Sequence, residues 1–306
     1  MGGEGTDDPV RTRSFPVTGP LDLDIGVTVG SVEVRLASAD DGDGPSDAQV
    51  ELRTADSGQA LWADGMSSVL DWVSERFGDQ LGSELRGRPA DAIEQSRVEL
   101  TGGRLVVRGP KALPLRNVPL AVTVHAPAGS RLEIRAGAAE VTVTGTSGRA
   151  DVTTGGGDVA LDAAEGPVTV RTGSGSIRLA SSPSGLQART GSGDVEIGSQ
   201  SGSATLGTGT GAVWLGTVAG EVMVRSGSGD LTVAEATSGS IELITGSGGI
   251  RVGVGAGVAA KVELSSGAGR VSSELDVADT APAGPVGVRI RARTGSGDAV
   301  VTSATR

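Results

Sequence analysis

The chain has 306 residues, 37% of them apolar, a formal net charge of -11 and no cysteine. Lack of cysteine excludes disulfides and thiolate metal sites. The acidic balance argues against nucleic acid, whose phosphates need Lys and Arg, and against anionic membrane surfaces. Glycine is abundant at 51 residues, without the every-third period of a collagen, while aromatics make up only 2%.

Residues 1–13 read as a disordered tail, because Met1 to Asp8 is acidic and Gly-rich. The start lacks the basic and apolar regions of a secretory signal, and no run of about 20 apolar residues spans a bilayer. These features predict a cytoplasmic protein without membrane insertion; export or a cell-surface location is the alternative.

Residues 14–306 read as one β-solenoid domain with irregular opening rungs over 14–135. Leu21–Ile25, Val27–Val29, Val32–Leu36, Val50–Arg53, Leu105–Arg108 and Val122–Val124 alternate apolar and polar side chains, as half-buried strands do. A separate sandwich domain is the alternative for this region. A helical insert at about 59–95 interrupts it. From Gln59 to Leu85, the residues Trp62, Met66, Val69, Leu70, Val73, Phe77, Leu81 and Leu85 recur at steps of three and four. That amphipathic face suits a cap over a sheet edge or a docking element for a partner.

The regular repeat occupies 136–306. Thr154-Gly155-Gly156-Gly157, Thr172-Gly173-Ser174-Gly175, Thr190-Gly191-Ser192-Gly193, Thr208-Gly209-Thr210-Gly211 and Ser226-Gly227-Ser228-Gly229 follow one another every 18 residues. Turns at Thr245, Ser266 and Thr294 continue them with longer spacers. Around each turn two short strands alternate. The set Val170, Ile177, Leu179, Val195, Ile197, Leu206, Val213 and Leu215 should lie inside, with Thr169, Arg171, Arg178 and Glu196 outside. Each strand should pair with its equivalent one rung away, because the turn carries the chain to another face. The fold class is therefore all-β: a single-stranded parallel β-solenoid, or β-helix, with 18-residue rungs and a right-handed coil. Glycine at the corner is expected to supply positive φ. Thr172, Thr190 and Thr208 are expected to stack as a hydroxyl ladder.

Thr190-Gly191-Ser192-Gly193-Asp194-Val195 and its copies resemble the bacterial putative-adhesin family of unknown function with Thr-Gly-Ser-Gly-Asp-Val strand repeats. The lead-in Pro127-Ala128-Gly129-Ser130-Arg131-Leu132-Glu133-Ile134 is similar to that family too, and the likeness runs from about Ser14 to the C-terminus. It implies a β-solenoid, with many members exported or membrane-attached in envelope contexts, and it transfers no catalytic residue.

Candidate chemistry is sparse. His125 is the only histidine, and nothing nearby completes a triad or a metal site, so it reads as a strand-end residue. Asp158, Asp194 and Asp230 follow their glycine turns in the manner of calcium β-rolls. The spacing lacks one residue, however, and Ser176, Ala212 and Gly249 interrupt the series. The glycine turns open no helix, which removes the phosphate-binding logic. The many Asp and Glu show no clustered pair at a defined spacing that would suit polysaccharide cleavage. The sequence thus predicts no catalytic, cofactor-binding or metal-ligating residue and no cofactor.

The functional expectation is a non-enzymatic scaffold or protein-interaction module, in the cytoplasm or at the envelope. A cell-surface adhesin comes second and a solenoid polysaccharide hydrolase or lyase third. Arg171, Arg189, Arg225, Glu196 and Trp214 would form the recognition surface. Protein partners or self-association would use the helical insert or the solenoid ends, where Val286–Arg293 reads as the C-terminal edge strand.

Overall fold

The computed structural model describes residues 9–37, 47–55, 88–275 and 286–304. They are all-β apart from one short helix and one 3-10 turn, and fall into two compact units, 1–145 and 146–306. The Gln59–Leu85 amphipathic segment lies outside the described residues. The far end of the insert is the helix α1, Pro89–Gln95, which buries Ala92 and Ile93.

The first unit holds β1 (Arg11–Pro16), β2 (Asp22–Ala37), β3 (Asp47–Thr54), β4 (Arg97–Thr101), β5 (Arg104–Arg108), β6 (Leu120–Pro127) and most of β7 (Arg131–Ser147). Strand β2 is its centre. It pairs in parallel with β5 along Asp22–Gly26, with β6 along Gly30–Ala37, and with β7 on its other side. Gly30 marks the corner between the two halves, with φ +124; a Cβ there would collide with the Leu120 carbonyl. Alternation then buries Leu23, Ile25, Val32 and Val34 against Leu105, Val107, Val122 and Val124.

Two expectations for this region need correction. Arg11–Arg13, read as tail, begin strand β1, which pairs antiparallel with β3. The opening strands are also not all parallel rungs: β3 runs antiparallel to β6, and β4 to β5. Alternation reports which face is buried but not which way a neighbour runs. The short Gly102-Gly103 connection, with both glycines at positive φ, sends β5 straight back along β4.

The second unit contains β8 (Ala150–Gly156), β9 (Val159–Ala164), β10 (Val168–Thr172), β11 (Ile177–Ser182), β12 (Leu186–Thr190), β13 (Val195–Gln200) and β14 (Ala204–Thr208). It continues with β15 (Val213–Ser226), β16 (Leu231–Thr245), β17 (Ile250–Val254), β18 (Ala260–Ser266), β19 (Val271–Ser273), β20 (Val288–Thr294) and β21 (Ala299–Ser303). The described pairings of β8 to β21 are parallel and run between equivalent strands, through β17 in successive repeats: Ala150 with Val168, Val168 with Leu186, Leu186 with Ala204. The second series runs Val159, Ile177, Val195, Val213. All eight inward positions named from the alternation are buried, at 2% exposure or less. Arg171, Arg178 and Glu196 are exposed and Thr169 is half-buried.

The glycine corners work differently from the expectation. Among them only Gly157 has positive φ. The others are glycine because successive corners touch backbone to backbone. A Cβ on Gly193 would strike the Gly175 carbonyl oxygen, one on Gly211 the Gly193 carbonyl, and one on Gly229 the Gly211 carbonyl. The corner hydroxyls do not bond to one another. From Thr172 onward each accepts from the glycine N–H three residues on and donates to the glycine carbonyl of the repeat beneath it in the stack, whereas Thr154 donates to Gly156 O of its own turn at 2.8 Å. Thr190 Oγ1 accepts from Gly193 N at 3.1 Å and donates to Gly175 O at 2.9 Å. Thr208, Ser226, Thr245 and Thr294 repeat the pattern.

The last repeats are not stacked in chain order. Strand β20 pairs with β16 on one side and β18 on the other, and β21 lies likewise between β17 and β19. The C-terminal repeat is therefore inserted, and Val286–Arg293 is not the edge. Among the described residues the edge is Ala260–Ser273. The aspartates explain why this order is satisfied. Asp158 Oδ1 accepts from Ser176 N at 2.8 Å, Asp194 from Ala212 N at 2.8 Å, and Asp230 from Gly249 N at 2.7 Å. In space the series continues with Asp298 accepting from Arg270 N at 2.8 Å. Asp and non-Asp alternate through the stack only in this order.

Replacing Ile197 by Asp places a carboxylate where a fully covered side chain stands, with no partner inside the stack. Ile197→Asp should cost on the order of 4 kcal/mol and lower Tm by roughly 6–12 °C. Thermal melting followed by far-UV circular dichroism checks this; an unchanged Tm would refute the core assignment.

Candidate functional site

The second unit presents its outward residues as columns, because parallel pairing puts equivalent positions side by side at about 4.8 Å, with register shifts only after Val218 and Val233 among the described pairs. One column runs Thr153, Arg171, Arg189, Gly207, Arg225, Ile244, Arg293, Ser265. Its four arginines are exposed. Arg171 Nη2 donates to Gln187 Oε1 at 3.1 Å. Among the described residues Arg189, Arg225 and Arg293 have no carboxylate partner. Gly207 leaves a notch between Arg189 and Arg225.

A second column, on the other strand series, runs Ala160, Arg178, Glu196, Trp214, Thr232, Arg251. Arg178 lies 3.5 Å from Glu196 and 4.0 Å from Asp158. Trp214 is 41% exposed, and its ring edge lies over Gly216. The five residues expected to form one recognition surface are thus divided: Arg171, Arg189 and Arg225 share one column, Glu196 and Trp214 another. The two strands of a repeat lie on opposite sides of a corner, which alternation within each strand cannot reveal.

His125 sits on β6 between Arg35 of β2 and Gln49 of β3, half-buried. Asp158, Asp194 and Asp230 each have an oxygen committed to a backbone N–H one repeat away. Among the described residues no three His, Cys, Asp or Glu side chains gather as a metal site. No described helix is long and apolar enough to cross a membrane.

The first unit carries a charged site that sequence reasoning missed. Asp24 is on the outward side of β2, yet only 6% exposed. Arg104 and Arg108 flank Val106, the residue paired with Asp24, and reach over from both sides. Arg104 Nη2 donates to Asp24 Oδ2 at 2.7 Å, and Arg108 Nη2 donates to Oδ1. Gly26 makes this possible: a Cβ there would occupy the space of the Arg108 side chain. Around them Arg104 lies 3.4 Å from Glu133 and Arg97 2.6 Å from Glu99. Asp24, Gln95, Arg97, Arg104, Arg108 and Lys111 line an open groove of about 610 Å³. Burial pushes the Asp24 carboxyl up, but the hydrogen bond from Arg104 and the charge of Arg108 outweigh it. Its pKa falls below the usual carboxylate value. In sequence Asp24 alternates with apolar residues just as Asp22 does, in Leu21-Asp22-Leu23-Asp24-Ile25, so nothing sets the site apart there. It becomes readable only once β2 and β5 are known to pair.

Residues 182–302 match the family model described as Toastrack DUF4097. A putative adhesin from Bacteroides fragilis NCTC 9343 is similar in structure at 15% identity and TM-score 0.46, covering 96% of this chain and 97% of that one. A putative adhesin from Parabacteroides distasonis ATCC 8503 gives 10% identity and TM-score 0.48, over 96% and 98%. A third, from Parabacteroides merdae ATCC 43184, gives 8% identity and TM-score 0.47, over 96% and 97%. No curated protein matches the chain.

A carboxylate whose pKa is lower in the folded state stabilises it above the unfolded pKa, and this contribution is lost as pH falls through the folded value. Wild-type protein should therefore lose stability below about pH 4. Asp24→Asn should cost about 2 kcal/mol at pH 7 and flatten that acid loss. Urea melts of both proteins at pH 7 and pH 3 check this. An equal acid loss in Asp24→Asn would show that another group carries it.

Proposed function

We propose that this protein is a non-enzymatic β-solenoid interaction module that binds an acidic segment of a protein partner along the arginine column of its second unit. The observation that carries this reading is the alignment of Arg171, Arg189, Arg225 and Arg293 in one exposed column. Like charges placed side by side on neighbouring strands oppose folding. Arg171 and Arg189 are direct neighbours, so the column costs stability where a neutral residue would not. A ligand with carboxylates spaced along the stack recovers that cost, with the Gly207 notch admitting a side chain between Arg189 and Arg225. Guanidinium groups suit this role because each forms two parallel hydrogen bonds to one carboxylate. The net charge of -11 favours a local acidic segment over nucleic acid.

Such a module serves as a scaffold in the cytoplasm or at the envelope; displayed outside the cell, the same column would make an adhesin. Cell fractionation separates these settings. Binding itself is tested by titrating poly-L-glutamate into the full-length protein at low and raised salt. Wild type should bind, and salt should weaken the complex. The triple variant Arg171→Glu/Arg189→Glu/Arg225→Glu should bind at least about ten-fold more weakly. Arg178→Glu/Arg251→Glu, in the other column, should bind as wild type does. Equal binding by the triple variant, or equal loss in the other column, would overturn the proposal.

A further inference from the structure

Within the second unit the stack ends on Ala260–Ser273. Strand β18 is paired on one side only, with β20, and β19 only with β21, among the described residues. The rung is built like the others, with the same alternation and the same corner staple, from Ser266 Oγ to Gly297 O at 2.8 Å. What differs is cover. In the rung beneath, Ile290, Ala292 and Ala299 are buried at 2% or less. Their register partners on the edge are Val262, Leu264 and Val271. Val262 and Leu264 are half-buried, and Val271 is 49% exposed. Unpaired backbone groups therefore coincide with an uncovered apolar row.

An exposed edge is ordinarily protected by like charge, which repels a second strand. Here the outward residues are Lys261 and Glu263, one of each sign, on either side of Val262. Reversing the strand about Val262 exchanges them. We propose that this edge is a self-association surface whose partner is a second copy of the same chain, joined through an antiparallel β18–β18 pair about a two-fold axis at Val262. In that register Val262 faces its own copy, Ala260 faces Leu264, and Lys261 faces Glu263 twice over. Inward positions meet inward positions and charged positions meet opposite charges, so core and surface both continue across the junction. The interface is closed: one patch satisfies itself, and no further copy adds. Glu263 is already held at the edge by Arg291 at 3.1 Å and Lys261 at 3.3 Å. This inference rests on the edge alone and is independent of the arginine column.

The test uses two charge variants of the full chain, checked for unchanged Tm. Lys261→Glu places Glu opposite Glu, and Glu263→Lys places Lys opposite Lys. Light scattering should give wild type at twice the chain mass of 30.2 kDa, and each variant alone at the monomer mass. An equimolar mixture of the two variants should regain the dimer mass, because one edge then carries two carboxylates and the other two ammonium groups, and every facing pair joins opposite charges. A wild type that stays monomeric up to about 100 μM would overturn the proposal, since a dimer of useful affinity forms well below that. So would variants that dimerise alone, or a mixture that remains monomeric.

Discussion

Contact between backbones at the corner governs the second unit. Glycine carbonyls of one repeat lie where the Cβ of the next would be, as Gly175 lies beneath Gly193. Only glycine permits that approach, and the approach lets a Thr or Ser hydroxyl bridge two repeats with one accepted and one donated bond. A single repeat buries about four aliphatic side chains, which at roughly 1.5–3 kcal/mol each does not offset its ordering entropy. Stability therefore belongs to neighbouring pairs of repeats, and the corner holds each pair in register. Register in turn decides that Val170 and Ile197 are inside and that arginines fall into one column.

The aspartate caps add order to register. Each Asp accepts the N–H of its neighbour in the next repeat, so a capped position needs no Asp of its own. This accounts for the interruptions at Ser176, Ala212 and Gly249, which in a calcium site would be gaps among the ligands. It also distinguishes neighbours that hydrophobic pattern leaves equivalent. Stacked in chain order, Arg270 would follow Gly249, and its N–H would find no carboxylate. With the C-terminal repeat inserted, Asp298 supplies it.

Much of this unit was legible in the sequence because period and alternation are both strict there. The buried set around Ile177, Val195 and Leu206 follows from period two within a strand, and its stacking from the fixed spacing of the corners. The order of the last two repeats was not legible from those signals. Val262 and Ile290 occupy equivalent positions, and only the aspartate series separates their repeats. In the first unit, irregular spacing removed the second signal. Alternation alone located Leu23, Ile25, Val122 and Val124 as inward residues. It said nothing of strand direction, and so nothing of Arg104 and Arg108 meeting at Asp24. The interaction surface was half legible: its residue types were visible, and their division between two faces depends on the corner.

The inserted order of the last repeats tests the corner account most directly, because the aspartate caps require it. The chain has no cysteine, so a pair of introduced thiols reports one distance. Glu242 and Arg291 are register partners, with Glu263 beyond Arg291. Neighbouring strands are about 4.8 Å apart, within disulfide reach, and next-nearest strands about twice that, beyond it. Under mild oxidation Glu242→Cys/Arg291→Cys should form an intramolecular disulfide, and Glu242→Cys/Glu263→Cys should not. Crosslinking of the second pair with none in the first would place the repeats in chain order and contradict the account.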